Sequence, residues 1–132
     1  MRVVNAIIKD NDKFLIIKRK EGIHAGKWAF PGGIIEENES SEQALKREIK
    51  EELNLDIKKI KFLKQIFIKK DKHMLDDCNV DIFIGRTHNK IKKIHIKEGQ
   101  KAKYLKINEI KKLKIPVYWK RVILQNKQKI FS

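Results

Sequence analysis

Gly33-Ile34-Ile35-Glu36-Glu37-Asn38-Glu39-Ser40-Ser41-Glu42-Gln43-Ala44-Leu45-Lys46-Arg47-Glu48-Ile49-Lys50-Glu51-Glu52-Leu53-Asn54-Leu55 is the stretch from which the rest of the chain is read. A tight glycine loop leads into a helix whose start is marked by Ser40 as N-cap, with Gln43 completing a capping box. Ala44, Leu45, Ile49 and Leu53 supply helix formers and an apolar stripe. Asn54 is able to take the left-handed conformation that ends a helix, although Gly would do so at lower cost. The same helix crowds Glu48, Glu51 and Glu52 together, and like charges three and four residues apart repel. Two of them fall in the last turn, where the macrodipole also disfavours negative charge. So unfavourable a local arrangement marks a site whose missing partner is a cation.

A helical wheel makes the arrangement concrete. With Glu48 at the origin and about 100° per residue, Glu51 lies near −60° and Glu52 near +40°, on one arc. Leu45, Ile49 and Leu53 form the core-facing stripe beside it, and Lys46 and Lys50 point the opposite way. Ala44, one turn earlier, leaves room for a ligand, and Arg47 is placed to pair with Glu51 four residues on. Carboxylates presented this way favour Mg²⁺, which keeps several waters and bridges to phosphate oxygens. Pro31-Gly32-Gly33 lets the backbone approach closely and aim a carbonyl at the ion. The competing interpretation is a solvated Glu-rich face, the commoner fate of such helices.

Spacing separates the two. These residues resemble the Nudix box, G-x5-E-x7-R-E-U-x-E-E-x-G-U with U a bulky aliphatic, at Gly33, Glu39, Arg47, Glu48, Ile49, Glu51, Glu52 and Leu55, with Asn54 standing where the family has Gly. The resemblance implies an α/β Nudix fold, a mixed β-sheet sandwiched between helices. It also implies hydrolysis, dependent on Mg²⁺ or Mn²⁺, of a nucleoside diphosphate linked to another moiety. By position, Glu48, Glu51 and Glu52 are the expected metal ligands, Glu48 is the box residue expected to act as base, and Arg47 and Glu39 orient the carboxylates. The Gly32 carbonyl joins the metal shell, as in MutT-like members of the family.

Outside the box, Lys27-Trp28-Ala29-Phe30-Pro31-Gly32-Gly33 looks like the lead-in of MutT-like members. Lys97-Glu98-Gly99-Gln100 resembles the loop where those members place a further metal-binding or basic glutamate, which nominates Glu98 over an ordinary turn acid. Arg19 and Lys20 leave the second strand near the expected site and are candidates to clamp phosphates, with ordinary solvated charge as the alternative. Trp119, with Tyr118, is a candidate base-stacking residue, and core packing of the terminal helix is the alternative. It falls near where enzymes of the MutT group that cleanse oxidised purine nucleotides place a base-reading Asn, so in a gap-free alignment that reader is absent here. His95 reads as structural or exposed, and Asp76-Asp77 as a polar loop tip.

The remaining chain is read as one domain, residues 1–132. Residues 2 to 19 predict a hairpin turning at Asp10-Asn11-Asp12, and Trp28 to Phe30 a short strand stopped by Pro31-Gly32-Gly33. Ile57 to Ile68 predicts a long, bulged strand, Val80-Ile82-Ile84 another, Ile91 to Ile96 a weaker one and Lys103 to Ile107 a last one. Helical turns near Glu109 and a terminal helix from Pro116 close the chain. Hydrophobic residues at 41% and charged residues at 37% exclude a disordered or membrane chain. The start lacks a secretory h-region, and a lone Cys78 forms no internal disulfide, so a reducing cytoplasm is expected. The net charge of +15 fits attraction of phosphorylated molecules, a nucleic-acid surface or plain lysine bias. The cations are mostly scattered Lys, aromatics are not interleaved with Arg as a single-strand-binding platform needs, and charge alone decides nothing.

The expected activity is therefore conversion of a nucleoside triphosphate to the monophosphate and pyrophosphate. ADP-ribose, a dinucleoside polyphosphate or capped RNA are the alternative substrates, with the ADP-ribose option disfavoured because no Pro stands at the expected distance after the box. A non-catalytic nucleotide- or RNA-binding module is the second class, although such modules usually lose box glutamates and none is lost here. The expected partners are a nucleotide or a nucleoside-diphosphate-linked small molecule, no membrane, and either a monomer or a homodimer.

Overall fold

Val4, Ala6, Ile7 and Ile8 are buried on both faces of one strand in the computed structural model, which describes residues 1–20, 26–70, 76–87 and 101–132. That strand, β1 (Arg2–Asp10), is followed by β2 (Lys13–Lys18), where Phe14 to Ile17 are likewise buried. Strands buried on both faces belong in the middle of a layered fold rather than on one side of it. The remaining elements are β3 (Trp28–Ala29), β4 (Gly32–Ile34), α1 (Ser41–Leu53), β5 (Lys58–Ile68), β6 (Cys78–Arg86), β7 (Lys101–Lys106), α2 (Ile107–Ile110), α3 (Val117–Gln125) and α4 (Lys127–Phe131).

The sheet runs β3-β2-β1-β6-β5, with β4 added to β1 and β7 to β2. It is mixed. β6 pairs in parallel with β1 from Arg2↔Asn79 to Lys9↔Arg86, and the other pairings are antiparallel. The expected hairpin is corrected in extent: β1 and β2 pair only at Lys9↔Phe14 and Asp10↔Lys13 beside the turn. Beyond that point they diverge, and β4 takes up the edge of β1 at Val3 to Asn5 while β3 and β7 take up β2. The new neighbours keep the backbone N–H and C=O groups of the diverging edges paired.

Two cores result. One lies between the sheet and α2, α3 and α4, and contains Ile7, Phe14, Ile16, Phe30, Ile82, Trp119 and Ile123. The other lies under α1 and contains Val4, Ala6, Ile8, Leu15, Ile17, Leu45, Ile49 and Leu53. The stripe of α1 is fully buried at Leu45, Ile49 and Leu53, each contributing about 1.5–3 kcal/mol by removal from water. Both ends of α1 are closed as read: Ser40 Oγ accepts from the Gln43 amide at 3.1 Å while Gln43 Oε1 accepts from the Ser40 amide at 2.9 Å. At the other end Asn54, with φ 53°, donates its amide to Lys50 O at 3.0 Å.

Two expectations shift and one holds. Gly32–Ile34 is a strand and not merely a stop, because glycines let it lie against β1. The terminal helix begins at Val117, with Pro116 before it, and breaks at Asn126, whose Nδ2 donates back to Val122 O at 2.8 Å. The long strand β5 is bulged, as read, with register shifts between Lys58 and Lys61 and between Phe62 and Lys64. The weaker strand expected at Ile91 to Ile96 lies outside the described residues. Among the described residues no helix is long and apolar enough to cross a membrane.

Candidate active site

The loop before α1 returns Glu36 and Glu39 to the helix, and Arg47 is the residue on which they meet. Arg47 Nε donates to Glu39 Oε2 at 2.8 Å and Nη2 to Glu39 Oε1 at 2.9 Å, a two-toothed pair. Nη1 donates to Glu48 Oε1 at 2.9 Å and to Glu51 Oε2 at 3.4 Å, and lies 3.8 Å from Glu36 Oε1. Nη2 also donates to Ile34 O at 3.1 Å, which ties the helix to the end of β4. The expected Arg47–Glu51 contact is present, yet it is looser than the contacts to Glu39 and Glu48. The Arg47 hydrogen bonds, helped by the Glu36 amide, hold the Glu39 carboxyl down to about 2, and the same pairing raises Arg47 above its ordinary value.

Glu52 occupies the inner side of the arc and is only 7% exposed. Its Oε1 lies 4.0 Å from Arg19 Nη1. Arg19 is held there by its backbone, which accepts from the Gly26 amide at 2.8 Å and donates to Lys27 O at 3.2 Å. Lys20, beside it, is exposed and forms no ion pair among the described residues.

Two glycines fit this cluster to the sheet. A β-carbon on Gly33 would run into the Glu48 carboxylate, and one on Gly32 into Val4 O and Asn5. Asn5, absent from the sequence-based candidates, is buried behind this segment and donates Nδ2 to Phe30 O at 3.0 Å. The Ala6 amide donates to Pro31 O at 2.9 Å. The signal for Asn5 was a lone amide inside an otherwise apolar strand, where a buried polar side chain must find partners. Glu36 was missed for another reason: its approach to Arg47 depends on the loop path.

Charge counting shows what the arrangement is suited to hold. Five carboxylates (Glu36, Glu39, Glu48, Glu51, Glu52) face two guanidiniums (Arg47, Arg19) within ion-pair distance. Lys46 and Lys50 do not relieve the excess, because they pair outward with Glu42 and Asp56. The donor set is hard oxygen throughout, the chemistry of Mg²⁺ or Mn²⁺. No three His, Cys, Asp or Glu side chains converge as a closed cage among the described residues. Mg²⁺ does not require one, since it is usually held by one or two carboxylates, its own waters and substrate phosphates. The residues present therefore fit such an ion.

Trp119 does not line this site. It is 1% exposed and packs edge-on against Phe30, ring centroids 4.6 Å apart, so the substrate-binding expectation is corrected to core packing. Its neighbour Tyr118 is half-buried, and that burial pushes its hydroxyl up to about 12. Asp77 belongs to the polar turn, accepting the Lys70 amide at 2.8 Å. Glu98 and His95 lie outside the described residues.

A family model for the NUDIX domain matches residues 1–126. A protein of Buchnera aphidicola subsp. Schizaphis graminum named 8-oxo-dGTP diphosphatase is 33% identical over 116 residues, which cover 86% of this chain and 82% of that protein. An ADP-ribose pyrophosphatase of Methanocaldococcus jannaschii is 44% identical over 69 residues, 52% of this chain and 40% of its own length. A solved MutT structure, described for Aliivibrio salmonicida and Vibrio cholerae, superposes with a TM-score of 0.72 at 27% identity, covering 95% of this chain and 99% of that one.

Proposed function

Because this chain belongs to the NUDIX domain family, we propose that it is a MutT-like hydrolase of nucleoside triphosphates, releasing nucleoside monophosphate and pyrophosphate with Mg²⁺ or Mn²⁺. The observation that carries the reading is the excess of carboxylates on one edge of α1, set against Gly32 and Gly33. A diphosphate placed there with no cation would only add to the repulsion. The cation, when bound, supplies neutralisation of phosphate charge as the P–O bond breaks.

The chain's own residues supply position. Glu48, Glu51, Glu52 and the Gly32 carbonyl are the proposed ligands, and Glu98 a further one on resemblance alone. Arg47 holds Glu48 and Glu51 from one side, and Glu39 fixes the guanidinium that holds them. In this reading Glu48, resting against Gly33, accepts the proton of the attacking water. The water oxygen bonds to phosphorus, the bridging P–O bond breaks, and pyrophosphate leaves with the electron pair. Arg19, half-buried beside Glu52, is the cation placed to meet a substrate phosphate, and Lys20 is an outer candidate.

The Buchnera relative, aligned along most of both chains, favours the triphosphate reading. The M. jannaschii relative favours ADP-ribose as the second reading, through a match to less than half of that protein. A panel of nucleoside triphosphates, ADP-ribose and dinucleoside polyphosphates, run with and without Mg²⁺ in H₂¹⁸O, tests both. Monophosphate and pyrophosphate, one carrying ¹⁸O, are the expected products. No turnover on any diphosphate, with tight nucleotide binding in the absence of metal, would point to a binding module instead.

A further inference from the structure

A second charged feature lies at the far end of the sheet and shares no residue with the carboxylate cluster. There Lys9, Lys59, Lys61, Arg86 and Lys129 line an open cleft of about 380 Å³, together with Phe62. No Asp or Glu side chain lines it. None of the five cations forms an ion pair among the described residues, whereas Arg47 alone engages four carboxylates. Five cations gathered at one concavity outweigh the single main-chain carboxylate that Ser132 brings to it, so the cleft is suited to an anion from outside. Backbone geometry supports this. Lys59 has φ 50°, an unfavourable conformation for a lysine, and sits where the bulge of β5 re-aims its side chain. Lys9 is braced, donating Nζ to Ile130 O at 3.2 Å.

The strand bordering the cleft continues the pattern. From Ile57 to Lys70 the chain contains six lysines and no acidic residue. β5 ends the order of strands among the described residues, and Phe62 and Phe67 on it are 58% and 62% exposed. Its 11 residues make a track about 35 Å long. A free nucleotide would use only the cleft, whereas a strand of repeating phosphates would use the whole track. Register puts Lys61 and Lys64 on the face of Ile84 and Ile82, with the cleft, and Phe62 and Phe67 on the face of Phe83 and Asn79. A single strand wrapping this edge therefore meets cations for its phosphates on one side and rings for its bases on the other.

We propose that the cleft beside β5, with the lysine and phenylalanine edge of that strand, is a binding surface for single-stranded nucleic acid. The inference is independent of the proposed hydrolase activity, since no residue is common to the two sites.

Fluorescence anisotropy tests it, using labelled 12-nucleotide oligo(U) and oligo(dT) without divalent cation over a range of KCl. Engagement of five phosphates predicts a log–log salt slope of about −3.5 at roughly −0.7 per contact. The exposed pair Lys61→Glu with Lys129→Glu is expected to weaken binding by at least about tenfold, and Lys61→Gln with Lys129→Gln by less. Lys112→Glu with Lys120→Glu, an equal charge change elsewhere, is expected to weaken it by under threefold. Unchanged thermal melting checks that the variants are folded. Equal losses in the cleft and control pairs would overturn the proposal in favour of diffuse attraction. Failure to bind either oligonucleotide, or binding to phosphatidylserine vesicles alone, would also overturn it, and ATP as competitor separates a mononucleotide pocket from a strand site.

Discussion

Arg47 meets Glu39 through a fork, Nε to Oε2 at 2.8 Å and Nη2 to Oε1 at 2.9 Å, although one residue stands in the middle of α1 and the other in the loop before it. The fork leaves Nη1 pointing at Glu48 and Glu51. A lysine has one nitrogen and cannot span Glu39 and Glu48 together. Arg47→Lys is therefore expected to lower kcat by about 10- to 100-fold, through misplacement rather than charge loss. Steady-state kinetics on the best nucleotide checks this, and a variant that raised KM alone would argue that Arg47 binds substrate instead.

Gly33 and Glu48 make the second test, because a single methyl group separates the outcomes. A β-carbon on Gly33 occupies the space of the Glu48 carboxylate, so Gly33→Ala must push that carboxylate away. The expected loss is about 100-fold in kcat, the scale of a displacement of about 1 Å at a catalytic group. Thermal melting should fall little, since what must move is the far end of a flexible side chain rather than backbone.

Glu52 is the most enclosed carboxylate of the arc. Glu52→Gln keeps its shape and removes the charge, and is expected to cut kcat by at least about 10²-fold, the usual scale for losing a main electrostatic stabiliser. It should also weaken Mn²⁺ binding measured by electron paramagnetic resonance in the absence of nucleotide. Near-wild-type turnover and ion affinity would remove Glu52 from the proposed ligand set.

The acid side of the stability profile should carry the signature of Glu39. Its carboxyl is held at about 2 against an ordinary 4.5, chiefly by the Arg47 hydrogen bonds and then by the Glu36 amide. The folded state therefore prefers the ionised form more than the unfolded state does. The stabilisation is full above the unfolded value and is lost as pH falls from about 4.5 through about 2. Urea unfolding of the native protein and of Glu39→Gln between pH 2 and pH 6 checks it. The two midpoints should differ at the upper end and converge at the lower.

The helix and its carboxylates were legible because their signals are local: a capping box, a 3.6-residue stripe and a fixed spacing all fall within one stretch. Trp119 was not legible in that way. An aromatic residue in a short amphipathic helix looks the same from sequence whether it faces a ligand or a core, and only the position of Phe30 settles the matter. Asn5 and Glu36 act across 25 residues of sequence or through a loop path, so no periodicity announces them. The hairpin was overdrawn for a related reason, since a strand's pattern tells how many faces it buries but not which neighbours cover its edges.

Asn54 offers the last test, because it is the one place where the box departs from its pattern and the structure shows what that position requires. Its φ of 53° and ψ of 38° lie in the left-handed region, where a side chain's Cβ crowds the following carbonyl. Glycine removes that crowding but has more freedom to lose on folding, and the two effects oppose each other. Asn is the least penalised non-glycine residue here, so the net gain from Asn54→Gly should be modest, about 0.5 kcal/mol. The amide still donates to Lys50 O in the variant, so α1 keeps its end and kcat should stay within twofold. Urea denaturation reads the stability change directly. A loss of stability would show that the Asn54 side chain makes a compensating contact in solution, whereas a gain with unchanged kinetics would show that the departure from glycine concerns the helix end and not the chemistry.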